Sequence, residues 1–125
     1  MEFPEALRYT REHEWIRIDG DIATIGITDF AQDALGDVVY VAPAELGETV
    51  APGANVAEVE STKSVSEIYA PLSGTIVERN AALDDAPELI NQAPYGAGWI
   101  LKMKLSDLAE LDTLLDAATY AAEVG

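Results

Sequence analysis

Hydrophobic and polar positions alternate along much of the chain, and the alternation predicts strands. Glu14 to Ile18 places Trp15 and Arg17 on one face and Ile16 and Ile18 on the other. Asp19-Gly20-Asp21 reads as a turn, and Ile22 to Ile27 returns as a second strand. The spacing then changes. Phe30, Ala31, Ala34 and Leu35 recur at helical intervals, with Asp29 placed to cap a short helix near 29–35 and Gly36 to end it. Val38 to Val41 is β-branched and aromatic, which predicts a strand that Pro43 stops.

Residues 46–80 are punctuated by Gly47, Pro52-Gly53, Pro71 and Gly74, with short β-like runs at Val56–Val59, Val65–Tyr69 and Gly74–Glu78. Residues 80–98 are rich in Pro, Asn, Asp and Gly and read as a long ordered loop. Trp99 to Leu105 alternates again. Trp99, Leu101, Met103 and Leu105 are expected in the core, with Lys102 and Lys104 in water. Ser106-Asp107 caps a helical segment that carries Leu108, Leu111, Leu114 and Leu115 on one face. That segment continues, or restarts after Asp116, to about Ala122. The fold class is therefore mainly β, a small antiparallel sandwich with a short helix and a C-terminal helical segment. The 125 residues are the size of one domain, so 1–125 is read as a single domain.

The segment around Lys63 is roughly mirror-symmetric. Gly53 and Gly74 stand almost equally far on either side, and Val59 and Val65, then Val56 and Ile68, flank the centre. Ser61-Thr62-Lys63-Ser64 is short and polar, as the tip of a hairpin is. A lysine there is a long stem ending in a nucleophilic amine. It can enter a modifying enzyme while the domain stays folded, and a group attached to it gains a long tether and a high effective concentration at docked enzymes. The tether requires a rigid base, which Val59, Val65 and Ile68 are expected to supply.

Composition narrows the chemistry. The chain has no cysteine and one histidine, His13, which excludes disulfides, thiol nucleophiles, thiolate metal sites and His-rich metal sites. Redox chemistry must come from an added group. The net charge of −16 opposes nucleic-acid binding and favours basic protein surfaces. Solubility alone, or adaptation to a salty cytoplasm, explains the charge equally well. Only three lysines exist, Lys63, Lys102 and Lys104, so a lysine-dependent chemistry has few candidates. Apolar runs are too short to span a membrane. The acidic start, Met1 to Glu5, has neither a signal-peptide nor a transit-peptide pattern, and the expected location is the cytoplasm.

The blocks themselves resemble the glycine cleavage H-protein family. Val59-Glu60-Ser61-Thr62-Lys63-Ser64-Val65-Ser66 looks like its lipoylation site. Tyr9 to Trp15, Gly26 to Gln32, Leu35 to Val41, Tyr69 to Gly74, Pro87 to Asn91, Pro94 to Trp99 and the Leu114 to Tyr120 segment are similar to the rest of the family pattern, in order and at its spacing. Departures are Ala42-Pro43-Ala44, Ala93, and Glu67 at a position that is often aspartate.

The resemblance implies a barrel-sandwich hybrid of the lipoyl- and biotinyl-carrier type, and a carrier that is not an enzyme. It implies lipoic acid on Lys63 as the cofactor. The partners it implies are a pyridoxal-phosphate glycine decarboxylase (P protein), a tetrahydrofolate-dependent aminomethyltransferase (T protein), dihydrolipoyl dehydrogenase (L protein) and a lipoate ligase or octanoyltransferase. It matches Glu14 to the carboxylate that holds the loaded arm, with Glu67 as a second acceptor. Glu60, three residues before the acceptor, is expected to aid ligase recognition. His13 is expected to be structural and Trp15 to lie in the core.

Four alternatives stand beside this reading. A biotin carrier usually has methionines beside its lysine, where this chain has Thr62 and Ser64. A lipoyl domain of a 2-oxoacid dehydrogenase would lack the Tyr9 to Trp15 block. The others are a lipoate donor for other complexes and an interaction module with Lys63 unmodified.

Overall fold

The computed structural model describes residues 1–125. Nine strands form two antiparallel sheets. The strands are β1 (Arg8–Tyr9), β2 (Glu14–Asp19), β3 (Ile22–Ile27), β4 (Val38–Pro43), β5 (Thr49–Val50), β6 (Asn55–Ser61), β7 (Val65–Tyr69), β8 (Gly74–Arg79) and β9 (Leu101–Leu105). One sheet has the order β1-β2-β3-β9-β8-β5 and the other β4-β6-β7. The mainly β sandwich expected from the alternation is the fold observed. Gly20, at φ 62°, makes the sharp turn between β2 and β3, a conformation that a side chain disfavours.

The inner faces of the two sheets meet in one core. Ile16, Ile25, Val41, Val59, Ile68, Leu72, Ile76, Leu101 and Met103 are all buried there. Strand β2 is covered on both faces. Ile16 faces this core, while Trp15 lies in a second cluster with Leu7, Tyr9, Ala117 and Tyr120. Tyr9 stacks on Tyr120 at 4.8 Å, and Trp15 Nε1 donates to the Pro94 carbonyl at 2.8 Å. Trp15 is therefore core, and its face is sealed by the C-terminal helix α4 (Ala117–Val124).

Several local expectations are corrected. Helix α1 (Asp29–Leu35) is capped by Thr28, whose hydroxyl accepts from Ala31 N–H, and Asp29 is its first residue. Residues 80–98 contain two single-turn helices, α2 (Ala82–Asp85) and α3 (Leu89–Gln92). Asn80 and Asn91 anchor them through side-chain amides, which a composition rich in turn residues conceals. Ile100 is fully buried and Trp99 only partly so, because the alternation begins at Leu101. Residues Leu108–Thr113 form a 3-10 helix, and Leu108 is exposed. The helix stops because Leu115 exchanges two 2.8 Å backbone hydrogen bonds with Tyr9. The chain then restarts as α4 behind the Asp116 cap. No helix is long and apolar enough to cross a membrane.

Candidate functional site

Strands β6 and β7 of the small sheet form a hairpin with Lys63 in its turn. Ser61 organises that turn. Its hydroxyl accepts from the N–H groups of Lys63 and Ser64 at 3.2 and 3.1 Å and donates to the Ser64 carbonyl. Thr62 N–H donates to the Asp37 carbonyl at 3.1 Å, which ties the tip to the segment linking α1 and β4. That segment is itself clamped. Asn91 donates to the Gly36 carbonyl at 2.8 Å and to Gln32, and accepts from Val38 N–H at 2.8 Å.

The tip is thus braced at its backbone while the Lys63 side chain stays exposed. The stem passes over Gly36. The φ at Gly36 is 81°, a conformation that favours glycine, and a Cβ there would only push the flexible Lys63 stem aside. The amine takes part in neither of the ion pairs of the chain, Arg11–Glu123 and Lys102–Glu78. The expected base is two-thirds correct. Val59 and Ile68 are buried, but Val65 faces solvent because its register partner Glu60 lies on the outer face of the sheet.

At the opposite end of β7 lies a cleft of about 470 Å³ whose lining includes Thr10, Glu12, Glu14, Gly53, Tyr69 and Pro71. Glu14 is only 1% exposed. Its carboxylate accepts from Tyr69 N–H at 2.8 Å and from the Thr10 hydroxyl at 3.0 Å. Burial pushes its pKa up to about 7, against the opposing pull of these two hydrogen bonds. Glu14 is thus a carboxylate held ready in a cleft, with more proton affinity than a surface acid has.

The other sequence candidates are less deeply placed. Glu67 is exposed and accepts from the Tyr69 hydroxyl at 2.8 Å, without lining the cleft. Glu60 is exposed on β6, between Tyr40 and Val65. His13 Nδ1 lies 2.8 Å from the Tyr120 hydroxyl, which in turn lies 2.7 Å from the Thr28 hydroxyl. Burial holds the His13 pKa below its ordinary value. Thr10, Ser61, Tyr69 and Asn91 escape the sequence reading. Ser61 alone had a usable signal, as a turn-capping serine before the tip. Tyr69 acts through its backbone N–H, which has no sequence signature.

A rigid sandwich that lifts one unpaired lysine on a braced hairpin tip has the architecture that a carrier with a covalent arm requires. Residues 7–125 match the glycine cleavage H-protein family. The chain is 53% identical to the glycine cleavage system H protein of Brevibacillus brevis, over 99% of this chain and 98% of that one. It is 55% identical to that of Thermus thermophilus, over 96% and 94%. The crystal structure of a glycine cleavage system H protein from Mycobacterium marinum superposes with a TM-score of 0.89 at 46% identity, covering 98% of both chains. The chain belongs to the glycine cleavage H-protein family, and so to the non-catalytic carrier subunits of that system.

Proposed function

We propose that Lys63 carries a lipoyl group in amide linkage and that residues 1–125 act as one carrier unit. The chain then takes the aminomethyl group of glycine from the P protein to the T protein, with the L protein restoring the oxidised state. The observation that carries this reading is the tip itself, where an exposed and unpaired amine stands on a backbone fixed by Ser61, Asp37 and Asn91. The lipoyl group, when bound, supplies the disulfide that accepts the aminomethyl group. The residues present fit such a group. Nothing on the chain competes for the amine, and β7 runs from the tip to the cleft, whose lining includes Tyr69 and Glu14.

The cleft supplies the second half of the function. An aminomethyl amine is cationic and is lost easily in water. A buried carboxylate fixed by Tyr69 N–H and Thr10 is suited to hold it. We assign this task to Glu14, with Glu67 acting at the rim through Tyr69.

Attachment is tested by treating the purified chain with lipoate, ATP and a lipoate–protein ligase, followed by peptide mapping. A lipoyl adduct on Lys63 is expected. An adduct confined to Lys102 or Lys104, or biotin in its place in the native host, refutes the reading. Glu60 is expected to orient the hairpin in the attaching enzyme. Glu60→Ala should slow lipoylation severalfold with the melting temperature unchanged. Equal rates would reduce Glu60 to a solvated charge.

A further inference from the structure

The outer face of the three-stranded sheet is open beside the hairpin tip. The register of β4 against β6 shifts between Val38 and Tyr40, and this bulge leaves two successive residues exposed, Val39 at 47% and Tyr40 at 59%. A regular strand would turn one of them inward. Tyr40 lies opposite Glu60, and Glu60 lies opposite Val65, so the three form one cross-strand row. Val65 is 56% exposed. The other large exposed hydrophobic side chains, Met1, Leu46, Val77 and Leu108, belong to other segments. Tyr40 and Val65 therefore stand on either side of Glu60 beside the Lys63 turn, with Val39 exposed next to Tyr40.

The neighbouring row reads Ala42, Glu58, Glu67. Two carboxylates directly opposite each other on one face destabilise a sheet. The ion pairs of the chain engage Glu78 and Glu123, so no basic side chain offsets Glu58 and Glu67. Two apolar side chains with Glu60 between them, beside the uncompensated Glu58 and Glu67, are complementary to a surface on another protein that offers apolar spots and basic side chains.

We propose that this face is the docking surface for the enzyme that attaches the lipoyl group, with Tyr40 and Val65 as its apolar anchors. The proposal rests on the reading of Lys63 given above. Reach selects this enzyme among the partners. An enzyme that forms a bond at the lysine amine must approach the tip to within the length of the lysine stem, and so must cover the row that flanks it. Enzymes that act on the far end of a lipoyl arm need not touch that row. A bulge also gives recognition at little cost to folding, since the exposed side chains contribute nothing to the core.

The test uses the full-length apo chain with a lipoate–protein ligase, lipoate and ATP. The double variant Tyr40→Ser/Val65→Ser should lose roughly ten-fold or more in kcat/KM for lipoylation, chiefly through KM. Tyr40→Phe keeps the ring and should keep the rate. Raising salt from about 0.05 to 0.5 M should slow the wild type, and Glu58→Gln/Glu67→Gln should flatten that dependence. After exhaustive lipoylation, the Tyr40→Ser/Val65→Ser protein should support glycine cleavage at close to the wild-type rate. The melting temperature confirms that each variant is folded.

An unchanged lipoylation rate for the folded Tyr40→Ser/Val65→Ser variant overturns the proposal and leaves Lys63 as the acceptor. An equal loss in glycine cleavage by the fully lipoylated variant also overturns it, because the face would then serve the enzymes that act on the arm. A wild-type chain that takes no lipoyl group on Lys63 overturns both this proposal and the function on which it rests.

Discussion

Replacing Lys63 by arginine is expected to leave the fold intact and to abolish carrier activity. The Lys63 side chain is exposed and takes part in no ion pair, so the change in stability should stay within about 0.5 kcal/mol. Arginine keeps the positive charge and most of the stem but does not form the amide under physiological conditions. The two remaining lysines offer no substitute. Lys102 lies within β9, with its amine 3.9 Å from Glu78 and 5.1 Å from the centre of the Trp99 ring. Lys104 is paired in mid-strand with Ile22 and Thr75. The measurement is glycine-dependent carbon dioxide release with the P, T and L proteins present, alongside the intact mass of the variant after ligase treatment. Wild-type turnover by Lys63→Arg would remove Lys63 from the mechanism.

The hairpin and its lysine were legible because their signals are local. Turn residues mark the ends of β6 and β7, alternation marks their faces, and the symmetry of Gly53 and Gly74 about Lys63 places the tip. What brackets the tip is not local. Asn91 reaches the α1–β4 link from more than fifty positions away in the chain, and its motif gives no hint that its amide serves Gly36 and Val38. Val65 illustrates a second limit. Its hydrophobicity predicts burial, whereas register against Glu60 and Tyr40 puts it in water. The single-turn helices α2 and α3 are too short to show helical periodicity at all. The family resemblance singled out Glu14, but its burial depends on β2 being covered on both faces, where Trp15 and Ile16 are fully buried side by side.

That burial sets up the second large effect. Glu14→Gln is expected to make the unloaded protein more stable and the loaded protein less protective. The pKa of Glu14 is raised to about 7 from 4.5, so between these values the folded state binds a proton that the unfolded state has released. Stability attributable to Glu14 is therefore undiminished below about pH 4.5, falls as pH rises toward 7, and stays low above it. At 1.36 kcal/mol per unit the ionised carboxylate costs roughly 3 kcal/mol at pH 8, offset by none of the ion pairs of the chain.

Glutamine keeps an oxygen for Tyr69 N–H and removes the charge. Its melting temperature should exceed that of wild type by several degrees at pH 8, with the gap closing near pH 4.5. A gap that persists unchanged at pH 4.5 would show that ionisation is not its source. A charged group kept at such a cost is explained if a cation is its partner. A charge-assisted hydrogen bond to the aminomethyl amine is worth roughly 1.5–3 kcal/mol, so its loss should speed ammonia release from the loaded protein roughly ten-fold or more when the T protein is absent. Equal decay of loaded wild type and Glu14→Gln would leave the raised pKa as a cost of burial alone and return the protective role to the rest of the cleft.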